Sequence, residues 1–247
     1  MSDEGLYPYI FKRRSVRKYQ KEPLDPSVLS DISTFIDNIV PLVPGIRTEI
    51  RVLNEQTIKG MFRTNAPHYI AFYSEKKDGY LPNAGFMLQQ LDLYLAKKGI
   101  GNCWQAGAKL AKGGGEPPQG MELVIMTSFG RPAEEIYRKG PDEFKRKEVT
   151  KISSVKGMEN IIEAARLAPS SVNNQSWYFT GGDGKIYAFA ERSLITDHLN
   201  RINVGIALCH MWLAAQHEGR KVSFDLSGCD ADMIPKGYAF VATMTIE

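Results

Sequence analysis

Two long helices predicted in this chain repeat one pattern of residues, and this repetition constrains the fold more than any other feature of the sequence. The first is predicted from Ala84 to Gly99 and the second over 203–219, because apolar residues recur at helical spacing. Identical residues recur at a constant offset of 120 positions: Asn83, Gly85, Leu88, Leu93 and Gly99 correspond to Asn203, Gly205, Leu208, Leu213 and Gly219. Chance identity in Leu-rich helices is the alternative to an internal duplication, whose copies would pack as a pseudo-symmetric pair.

The other predicted elements follow a matched order around each long helix. In the first part they are a helix starting at Asp25-Pro26 and strands over 49–53, 69–74 and 122–129. In the second part they are a helix ending at Pro169 and strands over 186–190 and 238–246, after a charged connector over 130–150. The expected fold is α+β, with a mixed or antiparallel sheet flanked by helices. Its two halves, 1–150 and 151–247, are expected to pack as one globular unit.

Composition excludes several classes of protein. The chain has 247 residues with a formal net charge of +3, which is too balanced to indicate a nucleic-acid-binding protein. It contains no apolar run long enough to span a membrane, and its first residues do not resemble a signal peptide. The three widely spaced cysteines indicate a reducing compartment, so a cytoplasmic protein is expected. His210 and His217 lack neighbouring ligands at metal-binding spacing, and no metal site is predicted.

Two polar clusters carry the candidate chemistry. In the arginine segment, Arg13-Arg14-Ser15-Val16-Arg17, guanidinium groups and a hydroxyl can hold a phosphate; a kinase target site is the alternative interpretation. In the Pro-Ser loop, residues 168–177 (APSSVNNQSW), hydroxyls and amides can satisfy the polar edge of a planar heterocycle. A simple polar turn is the alternative for the loop, since Pro, Ser and Asn are common in turns.

Together these clusters resemble the nitroreductase family, which carries Arg-Arg-Ser-x-Arg and Ala-Pro-Ser-x-x-Asn-x-Gln-x-Trp. Residues 99–104 (GIGNCW) and 130–132 (GRP) are similar to further landmarks of that family. The resemblance implies bound FMN. By the same resemblance, the FMN phosphate, the ribityl chain and the O2 side of the flavin are assigned to Arg13, Arg14, Ser15 and Arg17. The isoalloxazine ring is assigned to Pro169, Ser170, Ser171, Asn173 and Gln175. Arg146 and Lys147 are also assigned to the phosphate, and a backbone N–H at Ala106 or Gly107 is assigned to flavin N5.

One departure from the family pattern is informative. The Pro-Ser loop usually follows the arginine segment within a few tens of residues, but here Pro169 lies 154 positions after Ser15. The apolar residues 40–44 (VPLVP) stand at the usual place. Family homodimers build each flavin site from both subunits, so we expect a single-chain pseudo-dimer that keeps one FMN site and has lost the other.

The resemblance implies an oxidoreductase that moves electrons from NAD(P)H to a small acceptor, such as a nitroaromatic or quinone, by a ping-pong route. No side chain is predicted to be an essential acid or base, because the flavin carries the chemistry. A flavin-binding or flavin-sequestering protein without nicotinamide turnover is one alternative. A flavin-free interaction protein of the same fold is another. The pseudo-dimer could act as a monomer or pair further as a homodimer.

Overall fold

The computed structural model describes residues 5–60 and 63–247. The elements of its first part surround one four-stranded sheet and a small two-stranded ribbon. They are α1 (Tyr7–Ile10), α2 (Pro26–Ile36), β1 (Thr48–Asn54), β2 (Ile58–Lys59), β3 (His68–Ser74), α3 (Tyr80–Lys97), β4 (Gly101–Gln105), β5 (Lys109–Leu110) and β6 (Glu122–Gly130).

The second part builds another four-stranded sheet. Its elements are α4 (Val149–Ile152), α5 (Glu159–Arg166), β7 (Trp177–Gly182), β8 (Lys185–Glu191), α6 (Asp197–His217), β9 (Val222–Asp225) and β10 (Tyr238–Ile246). The expected α+β class is confirmed. The strands, however, form two separate antiparallel sheets, one on each side of the long helices, instead of one central sheet.

The two four-stranded sheets share one topology. Their strand orders are β1-β3-β6-β4 and β7-β8-β10-β9. In each sheet the first two strands pair with each other and are followed in the chain by a long helix. The third strand then forms an outer edge of the sheet, and the fourth strand pairs between the second and the third. The small ribbon of β2 and β5 has no counterpart among the described strands of the second part. This duplicated arrangement agrees with the constant offset between the long helices.

The long helices α3 and α6 pack against each other through reciprocal glycines. A Cβ added to Gly85 would lie 2.1 Å from Ile202 O, and one added to Gly205 would lie 2.0 Å from Pro82 O. Pro82 and Ile202 are themselves 120 positions apart, so each helix makes the contact that the other makes. Such reciprocity is the property of a two-fold interface. The backbones approach this closely because neither glycine carries a side chain.

Most predicted elements exist, but their limits differ. α3 begins at Tyr80 instead of Ala84, and α6 begins at Asp197, six residues earlier than predicted. The edge strands β4, β7 and β9 were not predicted, because they are short or contain glycine and polar residues. None of the helices in residues 5–60 and 63–247 combines the length and apolar character needed to cross a lipid bilayer.

Candidate functional site

The arginine segment is fixed along the edge of the first sheet. Val16 N donates to Asn102 O of β4 at 3.0 Å, and Arg14 N donates to Ile136 O of the connector at 3.2 Å. Gly101 permits this approach, since a Cβ there would lie 2.7 Å from Val16 Cγ1. The segment is therefore held on both sides by backbone hydrogen bonds.

The Pro-Ser loop has an unusual backbone. Val172, Asn173 and Gln175 have φ values of 45°, 59° and 49°, in the left-handed region that residues other than glycine seldom adopt. Val172 is β-branched, so this conformation is strained there, and its side chain is nevertheless 93% exposed. Strained backbone is concentrated at functional sites, where the surrounding structure must stabilise it.

Hydrogen bonds from three directions hold the loop in this shape. Ser171 N donates to Asn203 Oδ1 of α6 at 3.0 Å, and Gln175 N donates to Ser170 Oγ at 2.9 Å. Lys147 N donates to Gln175 Oε1 at 2.6 Å, and Lys147 Nζ donates to Gln175 O at 3.2 Å. Gln175 and Lys147 thus contact each other and support the loop, and neither is among the residues that line the two pockets described next.

The first pocket, which we call the ring pocket, has a volume of about 310 Å³. Most of its walls come from four segments: the arginine segment at Ser15 and Arg17, residues 103–107 at the end of β4, the Pro-Ser loop at 169–172, and one face of α6 over 199–206. Ala106 and Gly107 are both exposed at this surface, as a backbone donor to a ligand must be. The lining combines apolar side chains with a few polar groups, which is typical of cofactor sites.

The second pocket, which we call the cationic pocket, has a volume of about 430 Å³. Its charged lining residues are Arg13, Arg14, Arg17, Arg138, Lys145, Arg146 and a single acid, Glu143. Burial, together with the neighbouring arginines, lowers the pKa of Arg146 to about 9 and that of Arg138 to about 10. Both remain charged at neutral pH, so the pocket holds positive charge that an anion would stabilise.

The two guanidinium groups with lowered pKa values share one aromatic neighbour. Arg138 Cζ lies 4.1 Å from the ring centroid of Phe144, and Arg146 Cζ lies 5.5 Å from it. Arg146 also donates to Asn173 Oδ1 at 2.5 Å and to Leu167 O at 3.2 Å. These contacts fix the direction of both arginines without neutralising their charge, because none of the partners is a carboxylate.

The ring pocket and the cationic pocket adjoin each other. Ser15, Arg17, Pro169, Ser170 and Val172 line both of them, so the arginine segment and the Pro-Ser loop meet at the boundary. All the predicted site residues except Lys147 and Gln175 line one pocket or both. The structure therefore brings together two clusters that are separated by 154 positions in the chain.

Arg13 differs from the other arginines of the segment, because it is buried and paired. It is 2% exposed, and its Nε lies 2.9 Å from Asp92 Oδ2, which is equally buried. The contact is an ion pair, since Arg13 Nε itself has no well-directed hydrogen bond. Arg13 Nη2 donates to Ser15 Oγ at 3.1 Å, within the boundary of the two pockets. Its charge is largely offset by Asp92, so it adds less to the cationic pocket than its neighbours do.

The sequence did not single out several residues of the site. Arg138 lies in the connector among many charges, and Thr64 and Ile125 of the ring pocket belong to no motif; Trp104 belongs to the landmark 99–104, which by itself assigns it no role at the site. Trp104 is informative, because its indole N–H is buried without a hydrogen-bond partner in the described part of the chain. Cys103 also lines the ring pocket, and burial raises the pKa of its thiol, as expected for a structural cysteine.

The chain is similar to known proteins in sequence and in fold. The model of the family described as "Putative TM nitroreductase" matches residues 5–215. A crystal structure titled a "putative nitroreductase" from Thermotoga maritima is 22% identical, with a TM-score of 0.66, over 100% of this chain and 93% of that one. An FMN-dependent nitroreductase from Clostridium difficile is 19% identical, with a TM-score of 0.41, over 54% of this chain and 91% of that one. No curated protein matches the chain.

The fold is thus that of the nitroreductases. Because the family match extends over most of the chain, this protein belongs to the nitroreductase family.

Proposed function

We propose that this protein binds one FMN per chain and acts as an NAD(P)H-dependent oxidoreductase in the cytoplasm. The observation that supports this best is that the ring pocket and the cationic pocket adjoin and share five lining residues. A planar heterocycle that carries a phosphate on a flexible arm needs both environments side by side. Membership of the nitroreductase family and the FMN-dependent activity of a structural relative support the same proposal.

The residues present fit this cofactor. Trp104 is among the side chains that line the ring pocket. Ala106 and Gly107 present backbone groups there, and the hydroxyls of Ser170 and Ser171 are available for the polar edge of the ring. At the other end Arg14, Arg17, Arg138 and Arg146 surround the space proposed for the phosphate, as the charge of a phosphate requires.

When bound, FMN supplies the redox chemistry, which is the transfer of a hydride from NAD(P)H and then of electrons to a small acceptor such as a nitroaromatic or quinone, by a ping-pong route. The chain supplies binding, orientation and electrostatics. The visible absorbance spectrum of the purified protein, before and after anaerobic NADPH or NADH, tests this. Flavin bands that bleach are expected. Bands that persist would favour the alternative of flavin binding without nicotinamide turnover, and failure to bind added FMN would contradict the whole proposal.

The proposal of one FMN per chain has its own support in the structure. The place that corresponds to the Pro-Ser loop in the first half is the apolar loop 40–44, which offers neither hydroxyl nor amide side chains. Titration of the apo-protein with FMN is expected to saturate at one equivalent. Saturation at two equivalents would show that both halves retain a site.

A further inference from the structure

A chain of buried polar side chains crosses the contact between α3 and α6. Asp92 accepts hydrogen bonds from Gln89 Nε2 at 2.9 Å and from Asn102 Nδ2 at 2.8 Å. Asp92 also forms the ion pair with Arg13, through Oδ2, the same oxygen that accepts from Gln89. Gln89 Nε2 continues the chain to His210 Nε2, 3.0 Å away. None of these five side chains is more than 4% exposed, so water does not compete for the hydrogen bonds.

The direction of each hydrogen bond follows from the last contact. His210 Nδ1 lies 2.9 Å from Ala164 O, and a carbonyl oxygen can only accept, so Nδ1 carries the proton. Burial lowers the pKa of His210 to about 3, so the ring is neutral and its Nε2 is an acceptor. The amide of Gln89 therefore donates one hydrogen to His210 and the other to Asp92. Because Nε2 provides both, replacing Gln89 would remove both contacts together.

The chain connects the two segments that form the site. Arg13 begins the arginine segment, while Ala164 lies in α5, five residues before Pro169 and the Pro-Ser loop. Gln89 stands midway between them on α3 and does not line either pocket.

We propose that Gln89 is a positioning residue for the flavin site. Gln89 holds Asp92 against Arg13 and His210 against α5, so that the segments from opposite halves are correctly placed before the ligand binds. This inference rests on the proposed function, since FMN is the ligand that it concerns. A site organised in advance binds its ligand more tightly, because less conformational entropy is lost on binding.

The neighbouring residue Gln90 provides a matched control. It is also buried on α3, and it makes a comparable set of hydrogen bonds: its Oε1 accepts from Val40 N at 3.1 Å, and its Nε2 donates to Val40 O at 2.8 Å. These bonds hold the apolar loop 40–44 of the first half, away from the two pockets. Gln90→Met and Gln89→Met are therefore equal changes in side-chain type and burial that act on different loops.

The experiment compares the two variants with the unaltered protein by titrating each apo-protein with FMN and following flavin fluorescence. Gln89→Met is expected to raise the Kd for FMN by about 10-fold to 100-fold, by analogy with the loss of metal affinity when an outer partner of a metal ligand is removed. Gln90→Met is expected to leave the Kd unchanged while still lowering the thermal unfolding temperature. An unchanged Kd in Gln89→Met, or an equal rise in both variants, would overturn the inference.

A second readout is independent of FMN. Amide hydrogen exchange of the apo-protein is expected to become faster over 13–17 and 168–175 in Gln89→Met, and only over 37–44 in Gln90→Met. If the unaltered protein binds no FMN, the proposed function fails, and this exchange pattern alone decides whether Gln89 positions the two segments.

A further variant covers the case in which Gln89→Met does not fold. Asp92→Asn keeps the volume of the side chain and removes the charge that holds Arg13. It should raise the Kd for FMN within the same range. An Asp92→Asn protein that folds and binds FMN as tightly as the unaltered protein would equally overturn the inference.

Discussion

The loop after α5 and the loop after α2 occupy corresponding places in the two halves, but they offer different groups to a ligand. Asn203 Oδ1 accepts the N–H of Ser171, and Asn83 Oδ1 accepts the N–H groups of Leu42 and Val43. Two asparagines 120 positions apart therefore anchor the two loops in the same way. Only the loop after α5 carries hydroxyls and amides, so a shared scaffold supports a polar site on one side alone.

The space beside the other loop contains large apolar side chains. Ile206 lines the ring pocket, whereas the residue at the same offset in α3 is Phe86, which is 1% exposed. The ring of Phe86 lies 5.3 Å from that of Trp212 and 5.5 Å from that of Phe224. Such packing stabilises the fold and leaves less room for a planar ligand. The comparison teaches that backbone geometry repeats in this molecule, while the side chains beside each repeated loop decide which groups are offered to a ligand.

The largest effect is expected from removing positive charge from the cationic pocket. Arg138→Ala combined with Arg146→Ala should raise the Kd for FMN by about 100-fold or more, since each charge-assisted hydrogen bond contributes roughly 1.5–3 kcal/mol. Titration of the apo-protein with FMN measures this. The control is Arg47→Ala with Lys77→Ala, which removes two basic residues paired with Glu75 in the first half. An equal loss in the control would mean that the cationic pocket has no special role.

The equivalence of the two halves can be tested at the helix crossing. Gly85→Ala and Gly205→Ala should each destabilise the protein by about 1–3 kcal/mol or more, because a Cβ would meet the backbone of the opposite helix. Urea unfolding measures both, and the two values should be similar. Gly182→Ala, where an added Cβ meets nothing within 4 Å, is the control. Strongly unequal values for Gly85 and Gly205 would argue against a symmetric contact.

The free energy of unfolding should depend on pH through His210, whereas Gln90, the residue 120 positions earlier in the first half, has no titratable side chain. The folded-state pKa of His210 is lowered to about 3, against an ordinary value of 6.5, so between these values only the unfolded chain binds the proton. Stability is then highest above about pH 6.5 and falls as the pH is lowered, with a maximum slope of about 1.4 kcal/mol per pH unit. Urea unfolding from pH 7 to 5 should show a weaker dependence in His210→Gln. Parallel curves would contradict the assignment.

The smallest effect is expected at the strained loop. Val172→Asn should stabilise the apo-protein by about 1 kcal/mol, because asparagine tolerates a φ of 45° better than a β-branched residue does. Thermal unfolding measures the change. A matched substitution, Val43→Asn in the apolar loop, should instead destabilise the protein, since Val43 packs against the hydrophobic core. A destabilised Val172→Asn protein would indicate that the loop carries no strain at this position.

Local patterns in the sequence predict most of the elements. The strand predicted over 69–74 is found as His68–Ser74, and the helix predicted to start at Asp25-Pro26 is found as Pro26–Ile36. The short strand Val222–Asp225 escaped prediction, because its pairing with the last strand stabilises it more than its own residues do. The limits of the long helices were missed for a related reason: packing against the opposite half extends the helices beyond their apolar stripes.

The sequence by itself determined the repeated order of elements and the two polar clusters of the candidate site, since helical spacing, turn residues and charge are properties of short segments. Only the tertiary structure decided that Arg13 is buried against Asp92, and that Arg138 joins Arg146 at one aromatic ring. It also decided that the arginine segment and the Pro-Ser loop line the same two adjoining pockets. These two segments are far apart in the chain, and they meet because the close crossing of two helices at Gly85 and Gly205 brings opposite halves together.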